Sequence, residues 1–266
     1  MRELKDIQQQ RQLKILVLGE TCVDIYRFGK CTRLSAEAPV PILLQQRSEE
    51  KPGMAANVNL NIESLGHSTF HVTNKNIIKK ERMIAEGVSG SPQQVLRIDS
   101  NDNCDPINID NLAKFLNENT FDATVISDYD KGFLPEELLG NIVQLLPKPI
   151  FVDSKKTNLS YFEDCIIKIN EVEREAAHQF PSNCELITTL GERGAKWNEN
   201  IYPATKARGV FDVCGAGDSF LAGLCIGYLG THNLDPAIKF ANICAGISVK
   251  YLGVYNVSFD DILENY

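Results

Sequence analysis

The sequence predicts an α/β protein whose mostly parallel sheet is covered by helices on both faces. Its 266 residues are 43% hydrophobic and 23% charged, which is enough to fill the core of one such domain. In the second half, short apolar runs alternate with longer helical patterns, as expected for parallel strands joined by helices. Two long apolar segments, 215–229 and 236–252, close this half and predict buried helices. Such sheets bind ligands beyond the carboxyl ends of their strands.

The first half begins with a polar segment, 1–13, which predicts a tail or a short leading helix. Residues 14–19 form an apolar run that ends in glycine and predicts a buried strand. The segment 38–44 carries two prolines, which confine it to a sheet edge or a separate flap. A helix is expected over 53–65, because Gly66 can end it as a C-cap. Weaker strand patterns follow at 70–73, 81–85 and 94–98.

The second half predicts a regular series of elements within one domain that spans 14–266. The expected helices are 110–119, 135–146 and 171–179. The expected strands are 123–127, 149–153, 165–169 and 184–189, followed by a tight hairpin at 197–201. These strands are short apolar runs, as strands buried on both faces are.

Composition excludes several classes of function. The formal net charge is −8, so a basic surface for nucleic acid is not expected, although a local positive pocket is compatible with it. Eight cysteines are scattered without a CxxC spacing, which favours free thiols in a reducing compartment over disulfides or zinc. No signal-like or membrane-spanning apolar segment is present. We therefore expect a cytoplasmic protein that binds neither nucleic acid nor membrane.

The most informative segment is 212–218, which reads DVCGAGD. Gly215, Ala216 and Gly217 stand at the start of an apolar helix, where free backbone N–H groups can bind an anion. If Asp218 capped the helix, its carboxylate would compete with that anion. The same position is suitable for a base that removes the proton of a hydroxyl attacking a phosphoryl group. The alternative is an N-cap aspartate with glycines for a tight turn, and the segment alone favours neither.

The same segment resembles the DTxGAGD signature of the ribokinase-like (PfkB) carbohydrate kinases, and the similarity extends over most of 14–255. Further segments resemble the branch of D-glycero-β-D-manno-heptose 7-phosphate kinases, which are often fused to a nucleotidyltransferase. They are GETCVD (19–24), RLSAEAPVP (33–41), KPGMAANV (51–58), ISDYDKG (126–132) and VDSK (152–155). The resemblance implies a ribokinase-like three-layer α/β/α sandwich with a mostly parallel central sheet and a small β lid at about 26–50 and 77–100.

The resemblance also implies the chemistry of an ATP-dependent sugar kinase. Asp218 would be the general base for the accepting hydroxyl, and the amides of Gly215, Ala216 and Gly217 would stabilise the transferred phosphoryl group. The acceptor would be the anomeric hydroxyl of a heptose phosphate. ATP and Mg²⁺ are the implied cofactors, and a requirement for K⁺ is left open.

Five residues are candidates for binding the sugar phosphate. Asp24 would accept hydrogen bonds from sugar hydroxyls, Gly53 would let the backbone approach the sugar, and Asn57 would bind a diol. Arg33 and Lys155 would bind the 7-phosphate, which needs fixed positive charge. Each has a structural alternative: a loop aspartate bonded to backbone N–H groups, packing at a helix start, or a solvated surface cation.

Asn170 and Glu173 match the NxxE motif of the family, which influences magnesium and phosphate binding. Glu173 is therefore an indirect magnesium residue in this interpretation. The alternative is a helix cap with its partner three residues later, a capping box. The sequence alone does not separate the two.

The nucleotide is expected on the side of the signature segment that is opposite the sugar. Thr189, Gly191 and Gly194 resemble the TxGxxG turn on the nucleotide side of the family, and Asp212 begins the signature itself. Asn242 would lie near the adenine. A plain glycine turn and ordinary helix packing are the alternatives.

The chain departs from the family at three places. The usual glycine pair before Ala-Ala-Asn is Gly53-Met54, and Asn59 interrupts an apolar helix face. About one βα unit is missing after Val72, judged against the usual length of such units. The loss exposes a sheet edge, and strand 38–44 resembles the lid that pairs between subunits in this branch. We therefore expect a homodimer formed through the β lid.

Two other functions are compatible with the same residues. One is a kinase for another sugar or sugar phosphate. The other is a catalytically silent sugar- or nucleotide-binding protein, which the missing βα unit favours. The presence of Asp218, Asn170 and Glu173 opposes this second hypothesis.

Overall fold

The computed structural model describes residues 2–87, 92–205 and 212–265. Its helices are α1 Arg2–Gln8, α2 Ala55–Ser64, α3 Ile109–Glu118, α4 Glu136–Leu145, α5 Glu171–Ala176, α6 Ala216–Thr231, α7 Leu234–Ser248 and α8 Phe259–Asn265. Its strands are β1 Lys14–Gly19, β2 Thr21–Leu34, β3 Pro41–Met54, β4 Ser68–Val72, β5 Ile78–Ala85, β6 Gln93–Ser100, β7 Ala123–Asp128, β8 Ile150–Ser154, β9 Cys165–Asn170, β10 Cys184–Thr189, β11 Ala195–Trp197 and β12 Asn200–Tyr202.

The larger sheet has the strand order β12-β11-β10-β9-β8-β7-β1-β4. The strands from β10 to β4 pair in parallel, whereas β11 pairs antiparallel with both β10 and β12. The predicted mostly parallel sheet is thereby confirmed. Its parallel strands end at one edge, which places their carboxyl ends in a row.

Helices cover both faces of this sheet and form two apolar layers. Ile15 and Val17 of β1 pack in the layer that includes Leu221 of α6, whereas Leu16 and Leu18 pack in the opposite layer. All four β1 side chains are fully buried. The alternation follows from the two-residue period of a strand, and it explains why this run is apolar without interruption.

The smaller sheet has the order β3-β2-β5-β6. Its inner face is apolar near the larger sheet, where Cys22, Tyr26, Phe28 and Ile78 are buried. It occupies the segments in which a β lid is expected, except that 88–91 lie outside the described residues. That this sheet closes over a substrate remains a prediction.

The start of α2 differs from the predicted helix 53–65. Gly53 pairs with Cys22 in the β2–β3 ladder, so β3 continues to Met54 and the helix begins at Ala55. Met54 makes the sharp turn with φ of 60°, a left-handed conformation that glycine adopts more easily. This backbone conformation explains why the family usually has a second glycine at this position. Here the side chain of Met54 packs against Cys22 and Ile78.

Other boundaries also differ from the prediction. Residues 2–8 form the short leading helix rather than a tail, because Ile7 is buried against the larger core. Helix α5 ends at Ala176 instead of 179, since the His178 N–H donates to the Thr157 carbonyl and leaves the helical path. Helix α7 ends at Ser248 rather than 252, and helix α8 was not predicted.

Strand β4 lies at the edge of the larger sheet in the described part of the chain. The short connection 73–77 leads directly from it to β5 of the smaller sheet, in agreement with a missing βα unit. Phe70 on β4 is 41% exposed and contacts Phe115 and Phe121. Across the described residues, we find no helix with the length and hydrophobicity needed to cross a membrane.

Candidate active site

A cavity of about 300 Å³ lies where the carboxyl ends of β8, β9 and β10 face the first turn of α6. This is the position at which parallel α/β sheets bind ligands. Ten of the predicted site residues line it: Lys155, Asn170, Thr189, Gly191, Gly194, Gly215, Ala216, Gly217, Asp218 and Asn242. The structure therefore brings together residues from five separate segments of the chain.

Asp218 is 6% exposed, and its carboxylate is held from both sides. Asn57 Nδ2 donates to one oxygen at 2.8 Å, and the Tyr129 hydroxyl donates to the other at 3.0 Å. Burial raises the pKa of Asp218 to about 6, while the hydrogen bond from Asn57 opposes this shift. The result is an oriented carboxylate whose proton affinity suits a base near neutral pH.

Both the nitrogen and the oxygen of the Asn57 amide form hydrogen bonds within the protein. Its Nδ2 donates to Asp218, and its Oδ1 accepts from Asn61 Nδ2 at 3.2 Å and from Asn256 Nδ2 at 3.3 Å. The side chain is fully buried. In this arrangement Asn57 orients Asp218, and its contact with a sugar diol remains a prediction.

Tyr129 was not predicted as a site residue, although it lies in the quoted segment 126–132. Its position depends on Glu20, a fully buried acid after β1. The Glu20 carboxylate accepts the backbone N–H groups of Tyr129 at 2.8 Å, Lys131 at 3.0 Å and Phe133 at 3.2 Å. Three donors offset the cost of burying this carboxylate and hold the loop in place. Burial, together with the Asp218 carboxylate, raises the pKa of Tyr129 well above its usual value.

The tip of α6 has the features of an anion site. Gly215 begins the helix in the left-handed region with φ of 77°, and the first-turn N–H groups lack intrahelical partners. The Ala216 N–H already donates to the Val213 carbonyl at 3.3 Å, so Gly217 is the better placed of the predicted donors. A Cβ on Gly217 would lie 2.9 Å from Lys168 Nζ, which places an ammonium group at the same tip.

Lys168 is a site residue that the sequence interpretation missed. It is 3% exposed and its Nζ lies 2.6 Å from Asp153 Oδ2. Burial raises the pKa of Asp153, but the ammonium groups of Lys168 and Lys155 outweigh this and hold it below its usual value. The available signal was a single lysine inside the apolar strand 165–169, because a buried lysine is usually paired or functional.

Lys155 lies in the cavity but is not a free cation. Its Nζ is 3.2 Å from Asp153 Oδ1 and also forms an ion pair with Glu173. Burial lowers the pKa of Lys155, yet the two carboxylates outweigh it and raise the pKa overall. Its charge is therefore largely balanced within the protein.

Asn170 and Glu173 form a capping box at the start of α5, the structural alternative for this motif. The Asn170 N–H donates to Glu173 Oε2 at 2.8 Å, and the Glu173 N–H donates to Asn170 Oδ1 at 2.8 Å. The described residues contain no group of three His, Cys, Asp or Glu that could hold a metal by itself. This donor set fits Mg²⁺ that is bound mainly by nucleotide phosphates and water, with Glu173 nearby.

The turn after β10 requires its glycines. Gly194 has φ of 95°, and a Cβ there would lie 2.0 Å from the Tyr202 carbonyl oxygen. Gly191 also has positive φ, at 60°. Asn242 Nδ2 donates to the same Tyr202 carbonyl at 3.0 Å and thereby ties α7 to this turn. Thr189 Oγ1 donates to the Ile169 carbonyl at 3.4 Å.

Asp212 braces the segment before α6. One of its carboxylate oxygens accepts the Cys214 N–H at 3.0 Å, and the other accepts the Gly253 N–H at 2.9 Å. Both oxygens are thus used by backbone groups. In this structure Asp212 holds the loop that carries Gly215, whereas its contact with a nucleotide remains a prediction.

On the side of the smaller sheet, Asp24 is 4% exposed and forms an ion pair with Arg82, which was not predicted. A Cβ on Gly53 would lie 2.1 Å from Asp24 Oδ2, so only glycine leaves room for this carboxylate. Arg33 is exposed near the far end of β2. Nine residues of extended strand separate it from Asp24, roughly 30 Å. The structure does not bring Arg33 to the cavity.

The comparison with known families identifies the family of this chain. The sequence pattern of the pfkB family carbohydrate kinases matches residues 102–261, which include the cavity residues from β8 to α7. The chain belongs to the pfkB carbohydrate kinase family. This PfkB chain is a phosphotransferase with a sugar hydroxyl as acceptor, and the predicted family and enzyme class are confirmed.

This PfkB chain spans less than two thirds of the length of the curated relatives it matches. The bifunctional protein HldE of Nitratiruptor sp. is 31% identical over 94% of this chain and 64% of that protein. The bifunctional protein HldE of Pasteurella multocida is 30% identical over 96% of this chain and 63% of that protein. Both alignments run over 305 positions against 266 residues here, so the relatives carry segments that this chain lacks.

Solved structures confirm the ribokinase-like fold of the PfkB chain. Ribokinase of Arabidopsis thaliana, complexed with ribose and ATP, has a TM-score of 0.71 at 13% identity and covers 96% of this chain and 98% of its own. Phosphofructokinase-2 of Escherichia coli, in complex with substrates and products, has a TM-score of 0.73 at 17% identity with the same coverage. At these identities the likeness concerns the fold alone.

Proposed function

We propose that this PfkB chain transfers the γ-phosphoryl group of Mg-ATP to the anomeric hydroxyl of D-glycero-D-manno-heptose 7-phosphate. The observation that carries the proposal is the buried Asp218 carboxylate, oriented by Asn57 and Tyr129 beside the tip of α6. The sugar is supported by the segments that resemble heptose 7-phosphate kinases and by the HldE relatives.

The proposed mechanism assigns one task to each part of the cavity. Asp218 removes the proton of the accepting hydroxyl, a contribution of about 100- to 10,000-fold in comparable reactions. Asn57 and Tyr129 keep its two oxygens in a fixed orientation. The Gly217 amide and Lys168 stabilise negative charge on the transferred phosphoryl group, because they lie at the same helix tip.

The proposed cofactors are ATP and Mg²⁺, and the proposed location is the cytoplasm. Bound with ATP, Mg²⁺ would neutralise phosphate oxygens, and Glu173 beside Lys155 is the residue that influences it. The eight cysteines, all within the described residues, are free thiols, as is usual in a reducing compartment. A K⁺ requirement is also proposed for testing, since one structure of E. coli phosphofructokinase-2 contains potassium.

A substrate panel tests the proposed reaction. We expect ATP consumption with heptose 7-phosphate and a new anomeric phosphate in the ³¹P NMR spectrum, because Asp218 serves a hydroxyl next to the α6 tip. Faster turnover of another sugar phosphate would identify that compound as the substrate, and the proposed phosphoryl transfer would stand. Binding of ATP analogue and heptose phosphate by calorimetry, without turnover, would support a silent binding protein instead. The short connection 73–77 is the observation that favours this second candidate.

We further propose that two copies pair through the smaller sheet. Large apolar side chains are exposed on its strands: Leu34 63%, Leu44 69%, Leu96 54% and Ile98 43%. Both outer strands, β3 and β6, are edges among the described residues, and such edges are usually covered. We expect sedimentation to give a dimer of the 29.6 kDa chain and Leu44→Glu to weaken it. A monomer at micromolar concentration would contradict the proposal.

A further inference from the structure

Lys80 is a buried lysine whose charge has no acidic partner among the described residues. It lies on β5, is 8% exposed, and stands opposite Asp24 in the β2–β5 register. Its Nζ lies 5.1 Å from the centre of the Tyr129 ring. Within the described chain, no hydrogen-bond or ion-pair partner reaches this ammonium group.

The neighbouring acids are already engaged. Asp24 on β2 pairs with Arg82. Asp99 on β6, which is opposite Lys80 in the β5–β6 register, accepts two hydrogen bonds from Arg97 at 2.7 and 2.5 Å. Neither acid is therefore free to pair with Lys80.

The other two buried lysines in the described residues behave differently. Lys156 is 5% exposed and lies 3.5 Å from Asp128, and Lys168 is 3% exposed and lies 2.6 Å from Asp153. Burying an ammonium group without a counter-charge is costly, so buried lysines are almost always paired. A cation–π contact with Tyr129 recovers only part of that cost. An anion supplied by a ligand would complete the Lys80 environment.

The position of Lys80 indicates which ligand supplies this anion. The hydroxyl of Tyr129 donates to Asp218, so Lys80 rests on the ring that adjoins the proposed base. It comes from the smaller sheet, beside Asp24, and not from the turn predicted to bind nucleotide. The α6 tip already has Lys168 for the transferred phosphoryl group.

We infer that Lys80 binds the phosphate group that the sugar substrate carries before the reaction. The inference rests on the proposed function and replaces the earlier candidates for that phosphate. Arg33 is exposed far along β2, and Lys155 is balanced by Asp153 and Glu173. A compact ammonium group suits a phosphate, which accepts charge-assisted hydrogen bonds from any direction.

The test compares Lys80→Met with the unsubstituted enzyme on heptose 7-phosphate and on the same sugar without phosphate. We expect kcat/KM for the phosphorylated sugar to fall about 30-fold, in the range of a charged hydrogen bond. The value for the unphosphorylated sugar and the KM for ATP should stay within about twofold, so the preference for phosphate disappears. Lys80→Arg should restore much of it.

Lys79→Met is the matched control, because this substitution removes the same charge. Lys79 is the exposed neighbour of Lys80 on the opposite face of β5. It should leave the preference for phosphate unchanged. Lys80→Met should also melt at or above the temperature of the unsubstituted protein, since it removes an unbalanced buried charge. Equal losses on both sugars, or a lower melting temperature with unchanged preference, would overturn the inference.

Calorimetry separates this inference from the proposed function. If the enzyme binds heptose 7-phosphate but does not phosphorylate it, the kinase proposal fails while Lys80→Met should still weaken binding about 30-fold. Turnover with an unchanged phosphate preference in Lys80→Met would leave the kinase intact and refute the role of Lys80. Absence of any binding of the sugar phosphate would refute both.

Discussion

Replacing Asp218 with asparagine is expected to lower kcat by about 1,000-fold, within the usual range for loss of a general base. Asparagine keeps the shape of the side chain but cannot take the proton of the accepting hydroxyl. The Asn57 amide can still donate to the new carbonyl, and the Tyr129 hydroxyl can rotate to accept from the new amide. The fold should therefore survive, and ADP release measures the loss.

Asp260→Asn is a suitable control, because Asp260 is an exposed acid in the first turn of α8, outside the cavity. It should retain the activity of the unsubstituted enzyme. Circular dichroism and thermal melting should give the same fold for both variants. Turnover by Asp218→Asn close to that of the control would remove Asp218 from the role of base.

The pH dependence of kcat/KM gives a separate check on the same carboxyl group. Burial raises the pKa of Asp218 to about 6, so the ionised, active form predominates above that pH. We expect kcat/KM to be level above pH 7 and to fall about tenfold per unit well below pH 6. An acid limb near pH 4, typical of an exposed aspartate, would contradict the assignment.

Lys168→Met is expected to have the second largest effect, because it alters both activity and stability. Removing the ammonium group from the α6 tip should lower kcat by about 100-fold, as loss of one transition-state donor does. It also leaves Asp153, which is 3% exposed, with only the more distant and shared Lys155. Breaking a buried pair of this kind costs about 3 kcal/mol in the free energy of unfolding, which urea denaturation measures.

A double variant separates the two effects of Lys168. Asp153→Asn together with Lys168→Met removes both charges, so most of the lost stability should return while kcat stays low. Lys196→Met serves as the control, since Lys196 is 46% exposed and does not line the cavity. Recovery of activity together with stability would show that Lys168 acts only through folding.

Much of the fold follows from patterns that are local in the chain. The apolar run of β1, the helix of α3 and the proline at the start of α4 each reflect a period or a cap that a few neighbouring residues define. Boundaries were wrong where a distant segment intervenes. Helix α2 begins late because Gly53 is held in a ladder with Cys22.

The candidate site also combines features that are local in the sequence with features that depend on distant segments. The glycine-lined start of α6 and its acid can be recognised because all four residues are adjacent, and so can the Asn170–Glu173 pair. Lys168 was not predicted as a site residue, because its partner Asp153 lies on another strand. Arg33 seemed suitable by charge alone, yet the length of β2 carries it away from the cavity.

The sequence by itself determined the α/β class, the family signature and the acid at the helix tip, because short-range periodicity and glycine conformation are written in consecutive residues. Only the tertiary structure decided what surrounds that acid. Asn57 is 161 positions from Asp218 and Tyr129 is 89 positions away. Contacts over such separations depend on how the sheet and helices pack. That packing is determined by many weak interactions spread over the whole chain.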